Sequence, residues 1–297
     1  MRVGANGIAI EVDDHGPPSA PPLLLVMGLG MQLTAWPDEF VQLLVSRGFR
    51  VIRFDNRDAG LSQSFDELGV PHLAWSGLKY AMRLPLSAPY GVADMANDTL
   101  GLLDALGIAQ AHVCGASMGG MIAQHLAARH PQRVKSLTLM MTTSGARHLP
   151  QASPHLQHAL LTRFTRPKGR PTVVQQLEEL LTLIGSPAYR ADAHEMRQRL
   201  EASVRRAWRP GGTARQLVAV AADGDRSSLL SRIHVPTHII HGQADPLVPV
   251  AAAHDLARKI RGATLDLIDG MGHDLPQPLL PRFTQGIVEN ASRARMP

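Results

Sequence analysis

Three short segments of the chain set chemically capable side chains among glycines: Gly115-Ala116-Ser117-Met118-Gly119, Gly242-Gln243-Ala244-Asp245-Pro246 and Gly270-Met271-Gly272-His273. A serine hydroxyl is a poor nucleophile near neutral pH and becomes useful with a base within hydrogen-bond reach. Histidine supplies such a base, and a carboxylate behind it holds the imidazole in the useful tautomer and stabilises the imidazolium. Ser117 is therefore the candidate nucleophile, His273 the candidate base and Asp245 the candidate orienting acid. Together they suit acyl transfer.

The elements around these residues favour that reading. Ala111 to Cys114 reads as a buried strand and Met118 to His130 as a helix, so Ser117 falls on a sharp strand-to-helix turn with glycines on both sides. His273 follows the apolar run Thr264 to Ile268 in a glycine-flanked loop and can reach the same sheet edge. Other histidines, including His112, His125, His238 and His241, lie in or next to core elements and read as structural. Asp269 and Asp274 are nearer His273 in sequence, but neighbours on a tight loop seldom face each other. The turn Met141 to Gly145, after the preceding strand, offers no carboxylate, which leaves Asp245. An oxyanion needs two N–H donors. The Met118 amide, at a helix N-terminus, is one candidate. The Leu29 amide, in the turn Gly28-Leu29-Gly30-Met31, is the other. That turn lacks the full G-x-G-x-x-G of a dinucleotide loop.

Strand-like runs at Val3 to Val12, Leu23 to Met27, Val51 to Phe54 and Val134 to Met141 alternate with helical patterns at Trp36 to Ser46 and Asp94 to Leu106. Such alternation predicts a parallel sheet covered by helices on both faces. It stops at residue 142 and resumes with the strand Thr237 to Ile240, the helix Ala251 to Arg261 and a last helix from Leu280. We therefore expect a core of residues 1–141 and 231–297 and an inserted helical cap at 142–230. Met140, Met141, Leu160, Leu161, Leu180, Leu181 and Met196 are candidate apolar lining beneath it. Phe65 to Tyr90, rich in proline and aromatics, reads as an irregular stretch beside the cap.

Composition narrows the class. The net charge is +5, and basic residues concentrate in the cap segment, from Arg147 through Arg163, Arg166 and Lys168 to Arg209 and Arg215. No aromatic-interleaved platform accompanies them, so a solvated surface is expected and no nucleic-acid partner. No apolar run approaches the ~20 residues of a spanning helix, and no signal peptide is visible, so neither a membrane partner nor export is expected. The single Cys114 can form no internal disulfide and reads as a small buried residue. Cytoplasm is the expected compartment. Asp55 and Arg57 read as anchors of the loop after their strand, through an ion pair or backbone hydrogen bonds. No metal-ligand spacing is present, and neither a metal nor an organic cofactor is expected.

The run Leu24 to Pro37, the turn Asp55 to Ser62, the Ser117 turn and the Gly270 to His273 loop together resemble the aclacinomycin methylesterase-like hydrolases. These are serine hydrolases of the α/β-hydrolase fold, whose Ser, Asp, His chain order matches. The resemblance covers both ends of the chain well and the cap poorly. It implies a mostly parallel eight-stranded sheet and carries the triad roles onto Ser117, Asp245 and His273 and the oxyanion donors onto Leu29 and Met118. Many relatives outside this branch begin the oxyanion turn with His-Gly, where Met27 stands here. The donors are backbone amides, so the change tunes the site. The expected activity is hydrolysis of small soluble carboxylic esters. Lactonase, thioesterase and carbon–carbon bond hydrolase remain as alternatives with the same triad, a non-catalytic receptor as another, and monomer and dimer both stay open.

Overall fold

Alternate side chains along the central strands face opposite ways, and here both faces are apolar. In β3 (Pro22–Val26), Leu24 and Val26 enter one layer of the core and Leu23 and Leu25 the other. A strand buried on both sides must lie inside a sheet covered by helices on both faces. The computed structural model describes residues 1–162 and 169–294. Arg163, Arg166 and Lys168 therefore lie outside the described residues, as do the Leu160 and Leu161 side chains.

Eight strands form one sheet in the order β1-β2-β4-β3-β5-β6-β7-β8. They are β1 (Arg2–Ala5), β2 (Ile8–His15), β3, β4 (Arg50–Phe54), β5 (Ala111–Ala116), β6 (Val134–Met140), β7 (Thr237–Gly242) and β8 (Thr264–Ile268). Only the pairings of β2, with β1 and with β4, are antiparallel. β5 lies at the centre, with Gly115 beside Val26 of β3 and Leu139 of β6.

On one face pack α1 (Asp38–Ser46) and α11 (Leu280–Arg293), which contribute Phe40, Leu44, Phe283 and Ile287. Asp38 and Glu39 stand in the first turn of α1, where negative charge opposes the helix dipole favourably. The other face holds α3 (Val92–Ala105), α4 (Met118–Arg129) and α10 (Ala251–Lys259). Every residue of α4 from Met118 to Ala128 is buried, so the helix behind Ser117 is held all round.

Between β6 and β7 run α5 (Pro154–Thr162), α6 (Gly169–Ile184), α7 (Ala193–Arg206), α8 (Pro210–Asp223) and α9 (Ser227–Leu230). Helices α6 and α7 pack on each other around Val174, Leu177, Leu200 and Val204. α8 and α9 return Ala219 and Leu230 to the layer of α3 and α4. The stretch 65–90, expected to be irregular, contains α2 (Leu73–Ala81). Pro71 and Pro85 bracket this helix rather than interrupt it, and the His72 ring caps it by accepting the Trp75 N–H at 3.2 Å. As expected, the stretch lies against the inserted helices, with α2 meeting α8. No helix among the described residues is long and apolar enough to cross a membrane.

Candidate active site

Strand β5 runs straight into the nucleophile turn. Ser117 has φ 54° and ψ −120°, a left-handed conformation that costs a non-glycine residue roughly 1–3 kcal/mol and persists only where its surroundings over-determine it. The restraints are visible. The Ser117 N–H donates to the Met140 carbonyl at 2.9 Å, and the Ser117 carbonyl accepts Thr142 Oγ1 at 2.7 Å and the Gly120 N–H at 2.9 Å. The flanking glycines are required by contact. A Cβ on Gly119 would overlap the Val26 carbonyl oxygen, and one on Gly115 would overlap that of Gly119. Helix α4 starts at the next residue, so its free N–H groups and dipole favour negative charge beside Ser117.

The loops after β7 and β8 bring the two partners to the same edge. His273 Nε2 lies 3.0 Å from Ser117 Oγ, and His273 Nδ1 lies 2.7 Å from Asp245 Oδ2. With Nδ1–H donating to the carboxylate, Nε2 is left bare toward the serine, which is the tautomer a base requires. The other carboxylate oxygen of Asp245 accepts the Leu247 and Val248 N–H groups at 2.9 and 2.8 Å. Asp245 and His273 are both buried, whereas Ser117 is half-buried and reachable. The structure thus brings together all three residues singled out by sequence. Asp269 and Asp274 turn elsewhere, to Gln243 and Ser186.

The turn carrying Leu29 is pressed against the nucleophile. A Cβ on Gly28 would lie 3.2 Å from Ser117 Cβ and 3.7 Å from its hydroxyl. Asn56 Nδ2 donates to the Met27 carbonyl at 2.9 Å, and the Gly30 N–H donates to Gln216 Oε1 at 2.8 Å. Asn56, after β4, and Gln216, on α8, therefore hold this turn in place. Gly30 has φ +65°, and Thr213 fills the space where a side chain would stand.

Several residues near the site carry weak signals in the sequence or none. His241 is buried behind Asp245, 3.6 Å from its carboxylate, and lies 2.8 Å from the Val248 carbonyl. Burial lowers its pKa and favours the neutral ring, so no second positive charge competes for Asp245. Asp55 and Arg57 do anchor the loop, but not to each other. Asp55 accepts the Leu33 and Leu61 N–H groups and pairs with Arg206 at 2.7 Å, while Arg57 pairs with Asp98 at 2.5 Å. Cys114 is fully buried, and burial pushes its thiol well above the usual range, which disfavours the reactive thiolate. Among the described residues, no group of three or more His, Cys, Asp or Glu side chains is placed to hold a metal ion.

Beyond the turn lies a small cavity of about 40 Å³, walled by Gly30, Met31, Leu177, Leu181, Val204 and Trp208. Ser117 is not on its wall, so the space lies away from the Ser117 hydroxyl, past the Gly28 to Met31 turn. Of the candidate lining residues, Leu181 reaches this cavity. Met140 and Met141 belong instead to the core, Leu180 packs with Leu156 and Ile184, and Met196 packs against the α6–α7 cluster. Of the inserted helices, α5, α6 and α7 pack apolar side chains on one another.

Comparison with known proteins identifies the fold family. The family model described as alpha/beta hydrolase fold matches residues 21–276. The chain is 31% identical to rhodomycin D methylesterase of Streptomyces peucetius, over 88% of this chain and 87% of that one. It is 25% identical to 3-oxoadipate enol-lactonase 2 of Acinetobacter baylyi, over 89% and 86%. Among solved structures, a meta-cleavage product hydrolase from Pseudomonas fluorescens superposes with a TM-score of 0.76 at 20% identity, covering 99% and 98%.

Proposed function

The chain belongs to the α/β-hydrolase fold family, and from that premise we propose that it hydrolyses carboxylic esters of small soluble substrates through an acyl-enzyme. One observation carries the proposal: the unbroken line from Ser117 Oγ through His273 to Asp245, at 3.0 and 2.7 Å.

In this reading Ser117 Oγ attacks the ester carbonyl while His273 Nε2 takes its proton. The oxyanion of the tetrahedral intermediate is met by the Leu29 and Met118 amides. The imidazolium, stabilised by Asp245, then protonates the departing alcohol. Water deprotonated by His273 attacks the acyl-enzyme, and the acid leaves with Ser117 restored. None of these steps needs a metal or organic cofactor. Residues 142–230 act as the cap that bounds the site, and the partner is a small molecule rather than nucleic acid. Cytoplasm is the compartment this chemistry and the lone buried thiol fit.

The methylesterase relative supports an ester with a small alcohol group. The enol-lactonase relative favours one second reading, a cyclic ester opened by the same steps. A panel of methyl esters, lactones and thioesters tests the choice, with Ser117→Ala as control. Turnover of linear methyl esters above the other classes, absent in the control, is expected. Ligand-induced stabilisation with no turnover of any class would replace the enzyme reading by that of a receptor.

A further inference from the structure

The helix α2 is turned inside out relative to an ordinary surface helix. Trp75, Leu78 and Met82 recur at i, i+3 and i+7, the spacing that makes an apolar stripe. That stripe faces solvent: Trp75 is 55% and Met82 60% exposed. The half-buried positions are Leu73, Ser76, Gly77 and Lys79, and none of the helix's residues is buried. Leu68 and Val70 before the helix and Leu84 after it are exposed as well. Large apolar side chains scattered singly need no explanation, but a cluster of this kind marks a surface that meets something.

Charge says what it meets. No acidic residue occurs between Glu67 and Asp94, while Lys79 and Arg83 stand within the apolar stretch. Lys79 Nζ sits 5.7 Å from the centre of the Trp75 ring, so the cation flanks the apolar stripe. Tryptophan and tyrosine beside lysine and arginine, on a helix whose apolar face points outward, form the pattern of a helix lying in a membrane interface. A second copy of the chain fits less well, because a two-fold contact would gather Lys79 and Arg83 of both copies around one apolar helix that carries no acid of its own. The helix stays attached to the cavity side of the molecule. Arg215 of α8 pairs with Asp66 and donates to the Gly69 carbonyl at 2.8 and 2.7 Å, and Thr213 of the same helix walls the cavity.

We propose that α2 and its flanking loop dock the protein peripherally on an anionic lipid surface. The expectation of no membrane partner rests on the length of apolar runs along the chain. Peripheral docking depends instead on which side chains face outward. Docking is independent of the esterase reading, and Ser117→Ala protein binds equally.

The test is co-sedimentation with vesicles of phosphatidylcholine alone or mixed with phosphatidylglycerol, together with Trp75 emission and the mass in solution. Two variants are compared, Trp75→Ser/Leu78→Ser/Met82→Ser and Lys79→Glu/Arg83→Glu. Four of the five positions are exposed and Lys79 is half-buried, so both should fold as the parent does, which circular dichroism checks. The parent should partition onto the mixed vesicles with a blue shift of Trp75, and added salt should weaken it. Each variant should lose about tenfold or more in partition. Equal binding to both vesicle types would overturn the anionic assignment. A parent that stays in the supernatant overturns docking altogether, and if it is then a dimer that the serine variant dissociates, the face belongs to a second copy.

Discussion

Ser186 and Asp274 tie the segment that follows α6 to the loop that carries His273. The Ser186 hydroxyl donates to one Asp274 carboxylate oxygen and accepts the Gly272 N–H at 2.8 Å, while the Ser186 N–H donates to the other oxygen at 3.2 Å. The His273 N–H donates to the Ile184 carbonyl at 2.7 Å. Burial raises the Asp274 carboxyl above its ordinary pKa, against the pull of these hydrogen bonds. The end of α6 is thus hydrogen-bonded on both sides of His273.

Ser186→Ala and Asp274→Asn should therefore lower kcat by about 10- to 100-fold while KM changes little, because a base displaced by a fraction of an ångström loses its alignment. Steady-state kinetics beside circular dichroism check this. Unchanged kcat in both variants would show that the tie does not position His273.

A second tie joins α8 to the loop after β4. Arg215 and Asp58 are both fully buried and form a forked pair at 2.7 and 2.8 Å, with the Tyr90 hydroxyl donating to the same carboxylate at 2.6 Å. Arg215→Met leaves the Asp58 charge uncompensated, and unfolding stability should fall by about 3–5 kcal/mol. The double variant Asp58→Asn/Arg215→Met should recover part of the loss, since neither charge then remains buried. Urea midpoints for the three proteins decide it.

Asp223 predicts a pH dependence. Burial alone would raise its carboxyl, but the hydrogen bond with His125 and the charge of Arg226 outweigh it and hold the pKa below the ordinary aspartate value. A carboxyl whose folded pKa is depressed contributes stability that is complete above its unfolded value. That stability is lost as the pH falls below about 3.9 and through the lower folded value. Asp223→Asn should be less stable than the parent at neutral pH and show a shallower decline in acid. Thermal midpoints across that range measure it, and parallel curves would contradict the prediction.

If residues 142–230 bound the site as proposed, they should limit substrate size. In a series of p-nitrophenyl esters, turnover should peak at short acyl chains and exceed that of emulsified triolein. If the basic inserted segment attracts anionic esters, added salt should raise KM for those and leave neutral ones alone. Faster turnover of the emulsion than of any short ester would refute the size limit.

Much of the site is legible in the sequence because each reacting side chain sits in a glycine-flanked turn at the end of an apolar run. Run and turn together place Ser117, Asp245 and His273 on one sheet edge. The supporting contacts are illegible for the opposite reason. Gly30 finds its acceptor on Gln216, Asp55 finds Arg206 and Arg57 finds Asp98, partners far away in the chain that no local pattern announces. Strand boundaries follow the same rule: β5 continues past Cys114 to Ala116 because the strand ends only where Ser117 enters its left-handed turn. For α2, composition suggested a loop, whereas the prolines lie outside the helix and leave its interior free.

The most direct test of the account is covalent labelling of the nucleophile. After treatment with an organophosphonate, intact-mass and peptide-mapping spectra should show one adduct, on Ser117. Ser117→Ala should remain folded, take no label and lose on the order of a million-fold in turnover, because serine and base act as a unit. An adduct on Cys114 or another serine, with activity retained in Ser117→Ala, would contradict the assignment.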